Sequence, residues 1–251
     1  MNMPDRLRLE PMSNHATLRT VAIIPAAGSG IRMKSRRAKQ FLSLEGRPVL
    51  AQTLGPFQES NHVAAVVLVV PQTEMEYCSR EIVDRFGFTK VKRIAPGGRR
   101  RMDSVRLGLE AAEGGFDLAL IHDGVRPLVD KDLIERVVQG AAADRAVIAA
   151  LPAKETVKEV GHSAYVVKTC QRERVWMVQT PQAFRFQDIL KAHQRAVEEG
   201  WEGATDDALL IERMGIRVRV VRGSEDNIKV TTPLDLELAR FLLRSRKASS
   251  Q

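Results

Sequence analysis

The stretch "VAIIPAAGSGIRMKSRRAKQF", Val21 to Phe41, opens with four apolar residues, reaches Pro25, and then crowds Ala26, Ala27, Gly28, Ser29 and Gly30 together. Arg32, Lys34, Arg36, Arg37 and Lys39 follow before Phe41. A short apolar run ending in small residues reads as a buried strand entering a turn whose backbone N–H groups can approach an anion closely. Two familiar phosphate-binding patterns fail here. Met33 stands where both the P-loop and G-x-G-x-x-G need a further glycine. The fold therefore depends on whether such strand-to-loop units recur.

They do. Val21–Ile24, Val63–Val70, Leu118–Ile121 and Ala146–Leu151 are apolar runs set off by Pro or Gly, and each fits a strand buried on both faces. Helical patterns lie between them at Pro48–Phe57, Thr73–Phe86, Asp103–Glu113 and Asp130–Ala143. Asp103 and Asp130 are the expected N-caps, with Gly114 and Gly140 near the C-terminal ends. The alternation predicts an α/β fold: a Rossmann-like three-layer α/β/α arrangement around a mainly parallel sheet. Ligands bind at the carboxyl ends of such strands, which points to Pro25–Gly30, Gly97–Arg101, Asp123–Pro127 and Pro152–Thr156.

Residues 153–182 break the alternation. "TVKEV" and "AYVVKT" flank a turn at Gly161–Ser163, which predicts a projecting β-arm over about 153–180, of a kind that pairs with a second subunit. Helical patterns return at Phe186–Glu199, Thr205–Met214 and Pro233–Leu243, with a strand at Ile216–Val221. Residues 1–19 are expected to be a flexible extension, 20–245 one domain and 246–251 a flexible tail.

Composition narrows the function. Val63–Val70 is the longest apolar run, too short to span a membrane, and residues 1–19 contain no apolar core of a secretory signal. Cys78 and Cys170 lack metal or redox spacing, so they read as reduced thiols of a cytoplasmic protein. The net charge of +8 gathers at residues 32–39, at Arg99, Arg100, Arg101 and Arg106, and at the terminal Arg244, Arg246 and Lys247. The first two clusters adjoin glycine pairs, which favours an anion-binding loop over a nucleic-acid surface, and 5% aromatic residues leave little for stacking bases. A Rossmann oxidoreductase would need an acid ending its second strand, where this chain has Val69-Val70-Pro71-Gln72.

Within the first loop, Arg32 offers a planar fork of donors and Lys39 a compact charge, a pair suited to an α-phosphate gaining charge. Lys34, Arg36 and Arg37 read as a solvated helix face. Asp123, in "LALIHDGVRP", is a candidate Mg²⁺ ligand, a contact to ribose or polyol hydroxyls, or an Asx-turn before Pro127. Asp226 is a candidate of the same kind, His122 reads as a packed strand-end residue, and Thr205 or Asp206 could simply cap the helix that follows.

"PAAGSGIRM" with "KQFLSLEGRPVL" resembles the N-terminal signature of the 2-C-methyl-D-erythritol 4-phosphate cytidylyltransferases. Further likenesses follow in order: "GGRRRMDSVRLGL" (97–109), "HDGVRP" (122–127), "ETVK" (155–158), "QRERVWMVQTPQAF" (171–184), "TDDA" (205–208) and "EDNIKVTTPLDL" (225–236). The resemblance spans roughly residues 20–243 and implies transfer of CMP from CTP to methylerythritol phosphate, with Mg²⁺, in a cytoplasmic homodimer joined by the arm. It implies in-line attack of the substrate phosphate on the α-phosphorus, with Arg32 and Lys39 stabilising the transition state and Arg172 and Lys229 holding the substrate. Pro25 to Gly30, Gly97, Gly98, Arg101, Ser104 and Asp123 would meet CTP, and Asp123, Arg126, Thr156, Thr205 and Asp226 the polyol phosphate. One departure stands out: Arg100 occupies a place where the family commonly has an acid. A ribitol 5-phosphate cytidylyltransferase, from a similar family, is the alternative.

Overall fold

The computed structural model describes residues 18–28 and 37–249. Ser29, Gly30 and Arg32, all expected at the nucleotide, lie outside the described residues.

Strand β1 (Thr20–Pro25) leads to a short hairpin, β2 (Ser43–Leu44) and β3 (Arg47–Pro48), and then to α1 (Val49–Glu59). After β4 (Ala65–Val70) the chain winds through a 3-10 turn, the one-turn α2 (Met75–Tyr77) and a π-helical stretch, Cys78–Asp84, in place of the single helix expected there. Cys78 and Ile82, four apart, still both reach the core. Next come β5 (Val91–Pro96), α3 (Arg101–Glu110), β6 (Leu118–Ile121), α4 (Lys131–Asp144) and β7 (Ala146–Pro152). The arm is an antiparallel hairpin of β8 (Lys158–Val160) and β9 (Val166–Thr169). The chain closes with β10 (Trp176–Arg185), α5 (Phe186–Glu198), α6 (Ala208–Arg213), β11 (Arg219–Arg222) and α7 (Pro233–Ser249).

Seven strands form one sheet in the order β11-β7-β10-β6-β1-β4-β5. All neighbours are parallel except β10, which runs antiparallel to both β6 and β7. Along β1 the side chains alternate between two apolar layers. Ala22 and Ile24 pack with α1 and α4, whereas Val21 and Ile23 pack with α3, α5 and α6. Burial on both faces explains why this strand reads as a continuous apolar run. The chain leaves β1 toward β4 and β5 on one side and returns to β6 on the other. That reversal opens a crevice at the carboxyl ends of β1 and β6, the expected place for a ligand.

Several expectations change in detail. Helix α3 starts at Arg101 rather than after Asp103, which instead sits in its first turn and accepts from the Arg100 N–H at 2.9 Å. An acid there satisfies an unpaired donor and favours the positive end of the helix dipole. Gly140 lies near the C-terminal end of α4 as expected, and a Cβ there would come 3.1 Å from Val147, so it lets the helix lie close on β7. Asp130 caps α4 as expected, accepting from Leu133 N at 2.7 Å. The expected tail is helical as far as Ser249, with Arg246 paired to Asp226. The expected arm is shorter, because Trp176 already pairs with Pro152 in the central sheet.

Candidate active site

The loops after β1, β5 and β6 press against one another. A Cβ on Gly97 would stand 2.1 Å from the Ala27 Cβ, and one on Gly124 would stand 2.7 Å from the Ala26 Cβ. Packing thus demands glycine at 97 and 124, whereas a Cβ on Gly28 would meet nothing within 4 Å, which leaves its backbone open to an anion. Gly97 N donates to Val70 O at 2.8 Å, and Gly98 N to Ser104 Oγ at 3.1 Å, so the second loop is tied to β4 and α3. Gln40 secures the first. Fully buried on a 3-10 turn, it donates through Nε2 to Ala26 O at 2.7 Å and to Gly28 O at 3.3 Å.

Between these loops lies a cleft with two lobes. The first, about 340 Å³, is lined by Pro25 to Gly28, Gly98 and Ser104, with Lys39, Arg99, Arg100, Arg101 and Lys229 as its described cations. Asp123 is the single carboxylate among its described lining residues. The second, about 440 Å³, holds Arg126, Thr180, Gln182, Thr205, Asp206 and Glu212. Arg101, Asp123 and Lys229 line both. One lobe is strongly cationic; the other is polar with balanced charge.

Asp123 is the hub of the shared wall. Its Oδ1 accepts from Arg101 Nε at 2.8 Å, and its Oδ2 faces Lys229 Nζ at 2.8 Å and Arg126 Nε at 3.7 Å. Burial pushes the Asp123 carboxyl up, but Arg101, Lys229 and Arg126 together hold it far below the usual carboxylate range. Burial lowers the pKa of Arg126, with Asp123 opposing, and Arg101 is raised because Asp207 and Asp123 outweigh its own burial.

The backbone of Asp123 is fixed by a relay. Its N–H donates to Thr180 Oγ1 at 3.1 Å, and Thr180 Oγ1 lies 3.1 Å from His122 Nδ1. His122 Nε2 lies 3.2 Å from the carbonyl of Arg126, which can only accept, so Nε2 carries the hydrogen and Nδ1 receives the Thr180 hydroxyl. Burial pushes this imidazole down to about 4, so it is neutral at pH 7. Thr180 and Gln179 reach the cleft because β10 slips register between Val178 and Gln182, a bulge that re-aims side chains.

A family model described as "IspD: 2-C-methyl-D-erythritol 4-phosphate cytidylyltransferase" matches residues 20–245. The chain belongs to this family. It is 44% identical over 230 residues to the 2-C-methyl-D-erythritol 4-phosphate cytidylyltransferase of Geotalea uraniireducens (strain Rf4), covering 91% of this chain and 98% of that one. The crystal structure of 4-diphosphocytidyl-2C-methyl-D-erythritol synthase from Anaerococcus prevotii DSM 20548 superposes with a TM-score of 0.80 at 31% identity, over 91% of this chain and 97% of that one. The corresponding cytidylyltransferase structure from Thermus thermophilus gives 0.73 at 32% identity, over 90% and 100%. The ribitol 5-phosphate alternative is not favoured, since these relatives carry the methylerythritol name.

Of the residues that the likeness to this cytidylyltransferase family suggested, Pro25, Ala26, Ala27, Gly28, Lys39, Gly98, Arg101, Ser104, Asp123 and Lys229 line the first lobe. Gly97 lies beneath it. Arg126 and Thr205 line the second lobe. Three others stand elsewhere. Asp226 faces Arg246 of α7, and exposed Thr156 and Arg172 belong to the arm, with Arg172 Nη1 3.3 Å from Lys154 O. Arg100, the departure from the family pattern, pairs with Asp103 at 3.0 Å, so its charge is partly answered within its own turn. Sequence reasoning missed Gln40, Thr180 and Gln182, although each lies inside a motif quoted for the resemblance. Thr180 and Gln182 bond to His122 and Asp206, 58 and 24 residues away, and Gln40 bonds back to the loop it follows, none of which spacing reveals.

Proposed function

We infer that the cleft joins CTP to 2-C-methyl-D-erythritol 4-phosphate, releasing pyrophosphate and giving 4-diphosphocytidyl-2-C-methylerythritol, a precursor in isoprenoid synthesis. The observation that carries the division of labour is the wall of Arg101, Asp123 and Lys229 between a cationic and a neutral lobe. The triphosphate suits the first lobe, and the hydroxyl-rich substrate suits the second. Bringing the two reactants together in line supplies much of the rate. An oxygen of the substrate phosphate attacks the α-phosphorus; the bond to the bridging oxygen of the β-phosphate breaks, and pyrophosphate leaves with that electron pair. The nucleophile, with a second pKa of about 6, is already ionised at neutral pH, so no general base is required. Catalysis then rests on charge: Lys39 and Arg32 answer the developing charge on the α-phosphate, and Lys229 orients the attacking phosphate from the wall.

Asp123 is the carboxylate that would meet Mg²⁺ carried in by the triphosphate. No group of three or more acidic, His or Cys residues among the described residues could cage a metal. Both Asp123 oxygens already face cations, so most ligands of such an ion would be phosphates and water. Bound there, Mg²⁺ would neutralise charge on the departing pyrophosphate.

We also propose a cytoplasmic homodimer through the arm. Tyr165, Val166 and Val167 are 79%, 58% and 62% exposed on it, and a lone hairpin is marginally stable. No helix among the described residues is long and apolar enough to cross a membrane. Pyrophosphate release from CTP with methylerythritol phosphate, and separately with ribitol 5-phosphate, tests the assignment. Lys39→Ala and Lys229→Ala are each expected to lower turnover roughly a hundred- to thousandfold. A Lys39→Ala enzyme at full rate would refute the charge-neutralisation account.

A further inference from the structure

Arg101 is held from two sides, and only one of them belongs to the cleft. Its Nε donates to Asp123 Oδ1 and its Nη1 to Asp207 Oδ2, both at 2.8 Å. Asp207 is 1% exposed and precedes α6, yet its side chain caps no helix N–H. Asp206 does that instead, accepting from Leu209 N at 3.2 Å. The second oxygen of Asp207 faces His193 Nε2 at 3.2 Å, and His193 is equally buried on α5. A carboxylate only accepts, so Nε2 donates, and His193 Nδ1 has no hydrogen-bond partner among the described residues. Burial pushes the Asp207 carboxyl up, and Arg101 and His193 more than reverse it. Buried ion pairs of this kind cost desolvation that an apolar pair of similar size would not, so stability is a poor explanation for them.

We propose that Asp207 and His193 are positioning residues for the transfer reaction, holding Arg101 in the wall between the two lobes. A carboxylate on each edge of the guanidinium fixes its plane. Without Asp207, Arg101 is free to form a two-pronged pair with Asp123, which competes with Lys229 for Oδ2. Lys229 then loses the anchor that sets it between the two substrates. His193 in turn keeps Asp207 from rotating away from Arg101. This inference rests on reading Arg101, Asp123 and Lys229 as that wall.

The test measures kcat and KM for both substrates, with thermal unfolding, in Asp207→Asn, Arg101→Ala, the double variant, His193→Gln and His193→Leu. Asp207→Asn should lower kcat about ten- to hundredfold and change each KM by no more than about threefold. If the pair acts through Arg101, the double variant should be no slower than Arg101→Ala. His193→Gln, which keeps a donor near Asp207, should retain more activity than His193→Leu. Wild-type kcat in Asp207→Asn, or losses that multiply in the double variant, would overturn the proposal. Full activity in Arg101→Ala would overturn the wall itself and this inference with it. Should Asp207→Asn fail to fold, the two His193 variants decide, and equal losses in both count against it.

Discussion

His122 illustrates at the residue scale how a strand end can be read correctly and still incompletely. Its neighbours on the chain mark it as packed, and it is fully buried against the Phe57 ring, with centroids 5.1 Å apart. Its part in holding the Asp123 turn depends on Thr180, 58 residues away, and local spacing cannot reveal that. The burial has a thermodynamic consequence. The folded imidazole titrates near 4 against an ordinary 6.5, so between those values the unfolded chain binds more protons. Stability contributed by the neutral ring is therefore complete above about pH 6.5 and falls as pH drops toward 4. The full shift corresponds to a loss of about 3 kcal/mol. Urea unfolding between pH 7 and pH 4 should show a shallower pH slope for His122→Gln than for the unmodified protein. Equal slopes would mean that the ring charges freely in the folded state.

At the scale of elements, apolar runs revealed β1, β4, β6 and β7 because those strands are covered on both faces. They concealed β5, whose Lys92 and Arg93 are exposed at the sheet edge, and β10, which mixes Gln179, Pro181 and Gln182 into its run. The hidden strand β10 supplies Thr180 and Gln182 to the second lobe, so that half of the site was the less legible in sequence. The lining of the first lobe was more legible because it draws on short runs, 25–28 and 98–101, in which small residues at a strand end stand near cations. Its stiffening was not, since the Gln40 amide bonds back across a loop that spacing treats as open. Gln40→Met removes two bonds to loop carbonyls, each worth about 1 kcal/mol. Raised KM for CTP, by roughly tenfold or more, is expected with kcat little changed. A variant that loses stability yet binds CTP normally would make Gln40 only a core residue.

At the level of the whole molecule, the substrate-holding role that the family resemblance implies for Arg172 has to be reconciled with its position. This residue stands on the arm, outside both lobes of its own cleft, and its side chain is 57% exposed. All residues of β8 and β9 are exposed, including Val160, Val166 and Val167, so no other element among the described residues buries the arm. A two-fold dimer joined through such arms would be reciprocal, and each arm could carry its Arg172 to the other chain's second lobe. This arrangement makes a quantitative claim. Arg172→Ala chains keep an intact cleft but lack the arm's guanidinium, whereas Lys39→Ala chains lack one cleft cation but keep that guanidinium. Each variant alone should be nearly inactive. When the two are mixed and allowed to exchange subunits, half of the dimers are mixed, and each of those assembles one complete site. Recovery of about a quarter of wild-type activity is expected for equal amounts under random exchange. If Arg172 instead serves the cleft of its own chain, no complete site can form and the mixture stays as inactive as its parts. Tyr165→Glu on the Lys39→Ala chain should abolish the recovery, because the donor arm can then no longer dock.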